Sequence, residues 1–367
     1  MKTYITSHIG IIVLILIWNS SRPLYNLYEY SGTRAIWEKL SPPPPKYMDN
    51  SPKPSTFMLW IMSIYFVLFG IASNRYEQTV HSYELRVLNF QTQMASEYRA
   101  EACVNLARLQ KMRVPIKPIV YDFYDTISSF FAEEEYTEGQ KLLISILEMY
   151  RFDLNKANLI GANMSGAYLY KADLRRAKLY RANLTKTNLK KANLKKADLS
   201  GAKLIKAKLT NCNLTKAKLK GVDLTQANLT KANMEGANFK GAYLLSADLK
   251  ESNLHDAYFK KANLKKVNFK GANLIGANLT DTNLTGANLT RANLNDAKLS
   301  GSNLTGAILV QTNLMGVDLT EVDITKAKTL YKAKLPISAK KALKKAYPQL
   351  FAQPHWYKYA NTSKHTS

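Results

Sequence analysis

The chain has 367 residues, enough for two or three domains, and carries 52 Lys and Arg against 27 Asp and Glu, a net charge of +25. Such a balance favours anionic partners, whether lipid headgroups, nucleic acid or acidic proteins. The two cysteines, Cys103 and Cys212, exclude a disulfide framework and a cysteine-based metal motif.

Two apolar stretches open the chain, residues 5–18 and the uncharged residues 56–72. A membrane span needs about 17–20 residues, so the second qualifies and the first is short. The first reads as a retained membrane segment or a signal peptide. Only Lys2 precedes it, and Asn19-Ser20-Ser21 is a poor cleavage site, which favours retention. Trp18, Trp60 and Tyr65 suit interfacial positions. Residues 1–72 are therefore expected to contact membrane lipid as an integral anchor. The loop 19–55 mixes five basic residues with Glu29, Glu38 and Asp49, which leaves orientation open. Its Pro42-Pro43-Pro44-Pro45 run is a semi-rigid spacer.

Residues 73–150 read as a helical connector. Asn74 and Glu77 form a capping box, and Val80, Tyr83, Val87, Phe90 and Met94 succeed them on one stripe. That stripe is either a coiled-coil seam joining a homodimer or a face packed within its own chain. Pro115 and Pro118 end the helix, Glu133-Glu134-Glu135 reads as an acidic turn, and a second helix starts at Thr137. Leu142, Leu143, Ile146, Leu147 and Tyr150 make its apolar face, placed to cover the open first coil of the repetitive segment that follows.

From Leu154 to Ile324 a bulky apolar residue recurs at every fifth position, 35 times without a slip. It is Leu except at Met164, Met234, Phe239, Phe259, Phe269 and Ile324. Two positions earlier stands a small residue, mostly Ala, and between the two mostly Asn or Asp. A period of five fits neither helix nor ordinary strand and points to a solenoid. If each pentapeptide is one side of a square coil, Leu and Ala both face inward, which fits only because one is small. Asn, Asp and glycines such as Gly161, Gly201, Gly271 and Gly276 are then expected at the corners. Nearly nine coils, stacked about 4.8 Å apart, make a rod roughly 40 Å long.

This pattern resembles the pentapeptide-repeat family, whose A(D/N)LXX motif is matched over residues 151–328. The resemblance implies a right-handed quadrilateral β-helix, a mainly β fold, here with N-terminal membrane helices and a helical connector. It implies little about activity. Residues 329–367 are expected to supply a cap over the last coil, from a helix near 338–346 and apolar contacts of Tyr347-Pro348-Gln349-Leu350-Phe351, and a disordered tail at 361–367.

Residues 20 apart stack on one face. Lys156, Arg176, Lys196 and Lys216 make one basic ladder, with Arg175 and Lys195 beside it, and Lys220, Lys240 and Lys260 make a second. An amide ladder runs from Asn193 to Asn313 in steps of 20. Residues 171–220 carry a net charge of +14, and residues 271–323 a net of −3. The basic ladders form the candidate surface for anionic lipid or a protein partner, or else a solvated surface that blunts the rod's edges. Nucleic acid is disfavoured because only Tyr168, Tyr170 and Tyr180 offer stacking, all at one end.

No histidine has a catalytic partner, and the chain has no phosphate loop, CxxC or HExxH. No catalytic, metal or cofactor site is expected. The sequence thus reads as a non-enzymatic, membrane-anchored interaction scaffold, its repeats on the cytoplasmic side of a bacterial inner membrane. Two alternatives stand beside it: a DNA mimic acting on gyrase, as the resemblance implies for some relatives, and an exported effector acting at host membranes.

Overall fold

A computed structural model describes residues 56–95, 137–359 and, between them, 103, 106–115, 117–118, 129 and 133–135. The first apolar stretch, the proline run and the tail from 360 lie outside the described residues. The chain divides into two compact units, Met1–Arg86 with Lys111–Thr137, and Val87–Gln110 with Glu138–Ser367.

Helix α1 (Thr56–Ala95) runs 40 residues without a break. It absorbs both the second apolar stretch and the expected start of a connector helix at Asn74. The reason is local: no Gly or Pro lies between Ala72 and Glu77 to interrupt the turns. The expected span is corrected as well, because no helix among the described residues is long and apolar enough to cross a membrane. The apolar part of α1 gives way to Asn74, Arg75 and Glu77 after the minimum length. It still exposes Trp60, Ile64, Phe66, Val67 and Ile71.

In the first unit, strand β1 (Arg113–Pro115) pairs antiparallel with β2 (Glu133–Glu135), Arg113 in register with Glu135. The acidic run is therefore a strand and not a turn. Pro115 closes β1 at its end, where a missing donor is tolerated.

In the second unit, Val87, Phe90 and Met94 of α1 are buried within a single chain, as are Cys103 and Leu106. The Sγ of Cys103 lies 3.6 Å from the Sδ of Met94. The apolar stripe is thus already covered, which removes it as a coiled-coil seam for a homodimer. A short helix α2 (Leu106–Leu109) comes next. Helix α3 (Thr137–Met149) begins where the sequence places it and buries Leu143, Ile146 and Leu147.

The coil then starts at Arg151. Every side pairs in parallel with the residue 20 positions on, as in Asn158 with Lys178 and Asn163 with Asn183. Leu159 N–H donates to the Lys178 carbonyl at 2.8 Å, and Gly161 N–H to the Tyr180 carbonyl at 2.9 Å. Ala162 N–H closes its turn back onto Leu159 at 3.2 Å. A rigid four-sided coil results, with its backbone groups satisfied by neighbouring coils.

The inward pair is as expected: Ala157, Leu159, Ala162 and their successors are buried throughout. Phe239 and Phe259, one coil apart, stack with ring centroids 4.6 Å apart, and Phe269 meets Phe259 edge-on at 6.2 Å. Where Thr or Ser replaces the small Ala, its hydroxyl donates to backbone, as Thr187 does to Met164 O at 2.8 Å and Thr312 to Leu289 O at 2.7 Å. Those bonds make a buried hydroxyl tolerable.

The Asn and Asp positions are not the corners. They hold the flat middle of each side, where the parallel bridges form. Their Oδ1 atoms accept the N–H two residues on, as Asn213 does from Thr215 at 3.0 Å, and so brace the corner from beside it. The corner itself falls two residues after each Leu, at a residue with φ between +55° and +74°.

The coil also runs past residue 328. Its last turn carries one extra residue, so Ile308 pairs with Thr329 and Asn313 with Lys334, and Leu330, Ala333 and Leu335 are buried. Helix α4 (Ile337–Ala346) forms as expected but buries no residue. The end is covered instead by the 3-10 turn Pro348–Phe351 and helix α5 (His355–Tyr359). Leu330 N–H donates to Leu350 O at 2.6 Å, and Tyr331 packs edge-on against Tyr357 at 5.3 Å.

Candidate functional site: the cationic corners

Each corner asks its central residue for a left-handed backbone, which costs a residue other than Gly about 1–2 kcal/mol. Gly supplies that conformation freely, and 12 corners use it. The remaining corners do not, and their occupants change along the rod. Around the second coil the four successive corners are Lys171, Arg176, Arg181 and Lys186, with φ of 55–57°. Around the third they are Lys191, Lys196, Gly201 and Lys206. By the seventh they are Gly271, Gly276, Asp281 and Gly286. Identical geometry is thus filled mostly by cations in the second and third coils, whereas the first coil has Lys156 followed by Gly161 and Gly166. Farther on it is filled mainly by Gly and polar or acidic residues, with Lys231, Lys261, Lys266 and Arg291 scattered among them.

Of the expected ladder residues, Lys156, Arg176, Lys196 and Lys216 stack at one such corner, all exposed. Lys195 stands beside them, exposed at the same corner. Arg175 is spent locally: its Nε and Nη2 donate to Asp173 at 2.8 and 2.6 Å. That pairing holds the Asp173 carboxyl below its ordinary range and raises the Arg175 guanidinium. Lys220, Lys240 and Lys260 lie on the adjacent corner and begin only where the first ladder ends, so the two do not merge into one patch. Lys260 is half-buried.

Lys171 with Lys191 and Lys186 with Lys206 also stand 20 apart but are not among the ladders expected above, and Arg181, flanked by Gly161 and Gly201, has no basic neighbour one coil away. Reading around the rod, two residues after each Leu, finds them. The amide ladder is formed in part: Asn253 donates to Asn233 at 3.1 Å, Asn273 to Asn253 at 3.1 Å and Asn313 to Asn293 at 2.8 Å.

Apolar side chains gather at the same end as the cations. Phe152 is 56% exposed, Tyr168 48%, Ile160 44%, and on α3 Leu142 48% and Met149 62%. The Arg151 guanidinium lies 4.3 Å over the Phe152 ring and the Lys171 ammonium 5.4 Å from that of Tyr170. Two side chains without any sequence signal close the backbone of the first coil. The Gln110 amide donates to Asn163 O at 2.6 Å and accepts from Asn163 N at 2.7 Å, replacing the coil that is not there. Glu148 accepts the N–H of Tyr168 at 2.6 Å.

Among the described residues no group of three metal-binding side chains occurs. His255 Nε2 lies 3.5 Å from Asp256 on the rod surface, and its Nδ1 lies 3.1 Å from Ile275 O. Cys103 and Cys212 are buried, and burial pushes the Cys212 thiol far up. A cleft of about 350 Å³ lies between the last coil and α4, lined by Val317, Ile324, Pro336 and Leu343 among others.

The family model of pentapeptide repeats matches in eight copies, covering residues 151–291 and 297–328. No curated protein matches the chain. Among solved structures, the chain is 36% identical to HetL, a pentapeptide repeat protein involved in heterocyst differentiation regulation from the cyanobacterium Nostoc sp. strain PCC 7120. That match covers 50% of this chain and 87% of HetL, with a TM-score of 0.20. QnrB1, a plasmid-mediated fluoroquinolone resistance protein, is 20% identical over 48% of this chain and 93% of its own, with a TM-score of 0.32. A pentapeptide repeat protein from the Arabidopsis thaliana thylakoid lumen is 27% identical over 36% and 74%, with a TM-score of 0.20. The superpositions are poor, so the assignment rests on the repeat motif itself.

Proposed function

Because the repeat domain of this chain belongs to the pentapeptide-repeat family, we propose that the protein is a non-enzymatic, membrane-attached scaffold whose N-terminal coils bind an anionic partner. Family membership implies a right-handed coil, a rigid rod whose business is done by its outer surface. The observation that carries the reading is the choice of Lys171, Arg176, Arg181 and Lys186 at corners where Gly fits better. Uncharged and acidic residues such as Asn211, Gln226, Ser246 and Asp281 fill the same geometry farther along, so it is the concentration of cations in the second and third coils that supports an anionic neighbour. Like charges stacked one coil apart repel, and an anionic neighbour relieves that repulsion. The exposed apolar side chains of α1, Trp60 and Val67 among them, supply the attachment. A DNA-mimic role needs an acidic rod, whereas residues 171–220 carry +14.

The test uses heparin as a generic polyanion. The full chain is expected to be retained, and the variant Arg176→Glu, Lys196→Glu, Lys216→Glu to elute at clearly lower salt. Equal elution of a folded variant refutes the reading.

A further inference from the structure

The distribution of the corner cations says how the partner is met. A flat anionic surface lying along the side of a square rod touches one side and the two corners that bound it. Such a contact calls for cations in one or two columns along the whole length. The observed pattern is different. Lys171, Arg176, Arg181 and Lys186 occupy all four corners of the second coil, three of four remain basic in the third, and only Lys216 in the fourth. Over the second to fourth coils the corner cations thin out with height and are nearly indifferent to the side, while Lys208, Lys218 and Lys220 keep the fourth coil basic between its corners. Only a surface crossing the axis is equally near all four corners.

From this and from the apolar end we propose that the N-terminal end of the rod docks end-on against an anionic phospholipid bilayer. The proposal rests on the scaffold reading above and specifies its partner. Phe152, Ile160, Tyr168 and, on α3, Leu142 and Met149 expose apolar surface at this end, and Arg151 sits over the Phe152 ring. Aromatic rings with cations beside them are the composition of a membrane interface. Apolar insertion together with a basic cluster also supplies the two signals that stable surface binding needs.

Distance fixes how much each ring of charge contributes. Successive coils rise about 4.8 Å. Lys156 lies in the first coil, the complete collar one coil above it, the third-coil lysines about 10 Å above and Lys216 about 15 Å above. The first coil offers Lys156 alone, with Gly161 and Gly166 at its next corners, so with a screening length of about 8–10 Å in ordinary salt the second-coil collar acts most strongly and Lys216 weakly. A side-on contact would make Arg176, Lys196 and Lys216 equivalent.

The experiment uses the full chain and environment-sensitive fluorophores on single introduced cysteines, since Cys103 and Cys212 are buried. Labels go on Phe152→Cys and Tyr168→Cys at the end, and on Lys260→Cys and Gln311→Cys along the rod. Vesicles of phosphatidylcholine with phosphatidylglycerol are compared with phosphatidylcholine alone. End-on docking predicts blue-shifted emission at 152 and 168 on the anionic vesicles, and none at 260 and 311. Replacing the collar residues Lys171, Arg176, Arg181 and Lys186 by Gly is expected to weaken vesicle binding by about fivefold per charge. Replacing Lys216, Lys220, Lys240 and Lys260 by Gly is expected to change it little. Shifts at all four labels, equal effects of the two sets, or tighter binding to duplex DNA than to the vesicles at equal salt overturn the proposal. If heparin still separates the charge variants while the labels at 152 and 168 stay silent, the scaffold reading stands and the end-on contact falls. If neither responds, both fall.

Discussion

Lys196→Gly isolates the tension between backbone and charge. Lys196 has φ +59° and stands exposed between Arg176 and Lys216 in its column. Removing the side chain relieves about 1–2 kcal/mol of left-handed strain. Against this, Gly loses more freedom on folding, a cost of about 0.5–1 kcal/mol. The backbone balance is therefore a stabilisation of about 0–1.5 kcal/mol. Relief of repulsion from the two stacked cations adds a part that fades as salt rises. The assay is urea unfolding monitored by far-ultraviolet dichroism, with Lys196→Ala as the control. Ala loses the charge but keeps the strain, so it is expected to gain only the salt-sensitive part. A repeat array need not unfold in one step, so the comparison is made on the transition of the repeat domain. If the Gly variant is no more stable than the Ala variant at high salt, the corner argument is wrong.

The same geometry makes further predictions. Gly316 has φ +73°, and an added Cβ would collide with the Asp296 carboxylate, whereas at Gly306, φ +67°, it meets nothing within 4 Å. Gly306→Ala should therefore cost about 1 kcal/mol and Gly316→Ala measurably more, read as a difference in urea midpoint. Gln110→Ala leaves both backbone groups of Asn163 without their partner and should destabilise by about 1–3 kcal/mol, with faster amide exchange confined to the first coil. Asp173 is held below its ordinary pKa of 3.8 first by its hydrogen bond from Arg175. A depressed carboxylate adds stability above its unfolded pKa, and that stability is lost as pH falls through the folded value. Stability should thus decline on acidification below about pH 4, and Asp173→Asn should flatten the decline. An unchanged slope would remove the pair from the account.

The coil was legible because a side chain that must point inward twice per five residues leaves an unbroken mark. Leu159 and Ala162 are buried for the reason the register gives. The corners were misplaced because Asn and Asp favour turns in general, whereas here Asn213 braces a turn while lying in the adjacent bridge. The corner cations were half-seen, since the ladder through Arg176 and Lys196 along the axis hides the ring that Lys171, Arg181 and Lys186 complete around it.

The helical connector shows the opposite failure. The capping-box pattern at Asn74 suggests a start although no Gly or Pro there stops α1 from continuing through it, and the one-residue slip before Thr329 hides the last turn of the coil. Gln110 and Glu148 carried no sequence signal, because their role is set by which backbone groups the first coil leaves open.

The central claim is that the corner cations serve a partner at the expense of the fold. Its most direct test is the full chain with Lys171, Arg176, Arg181 and Lys186 all replaced by Gly, measured for both urea stability and salt-dependent retention on heparin. The two are predicted to move in opposite directions, with stability rising and retention falling. A variant that is less stable, or that binds heparin as tightly as the parent, contradicts the claim.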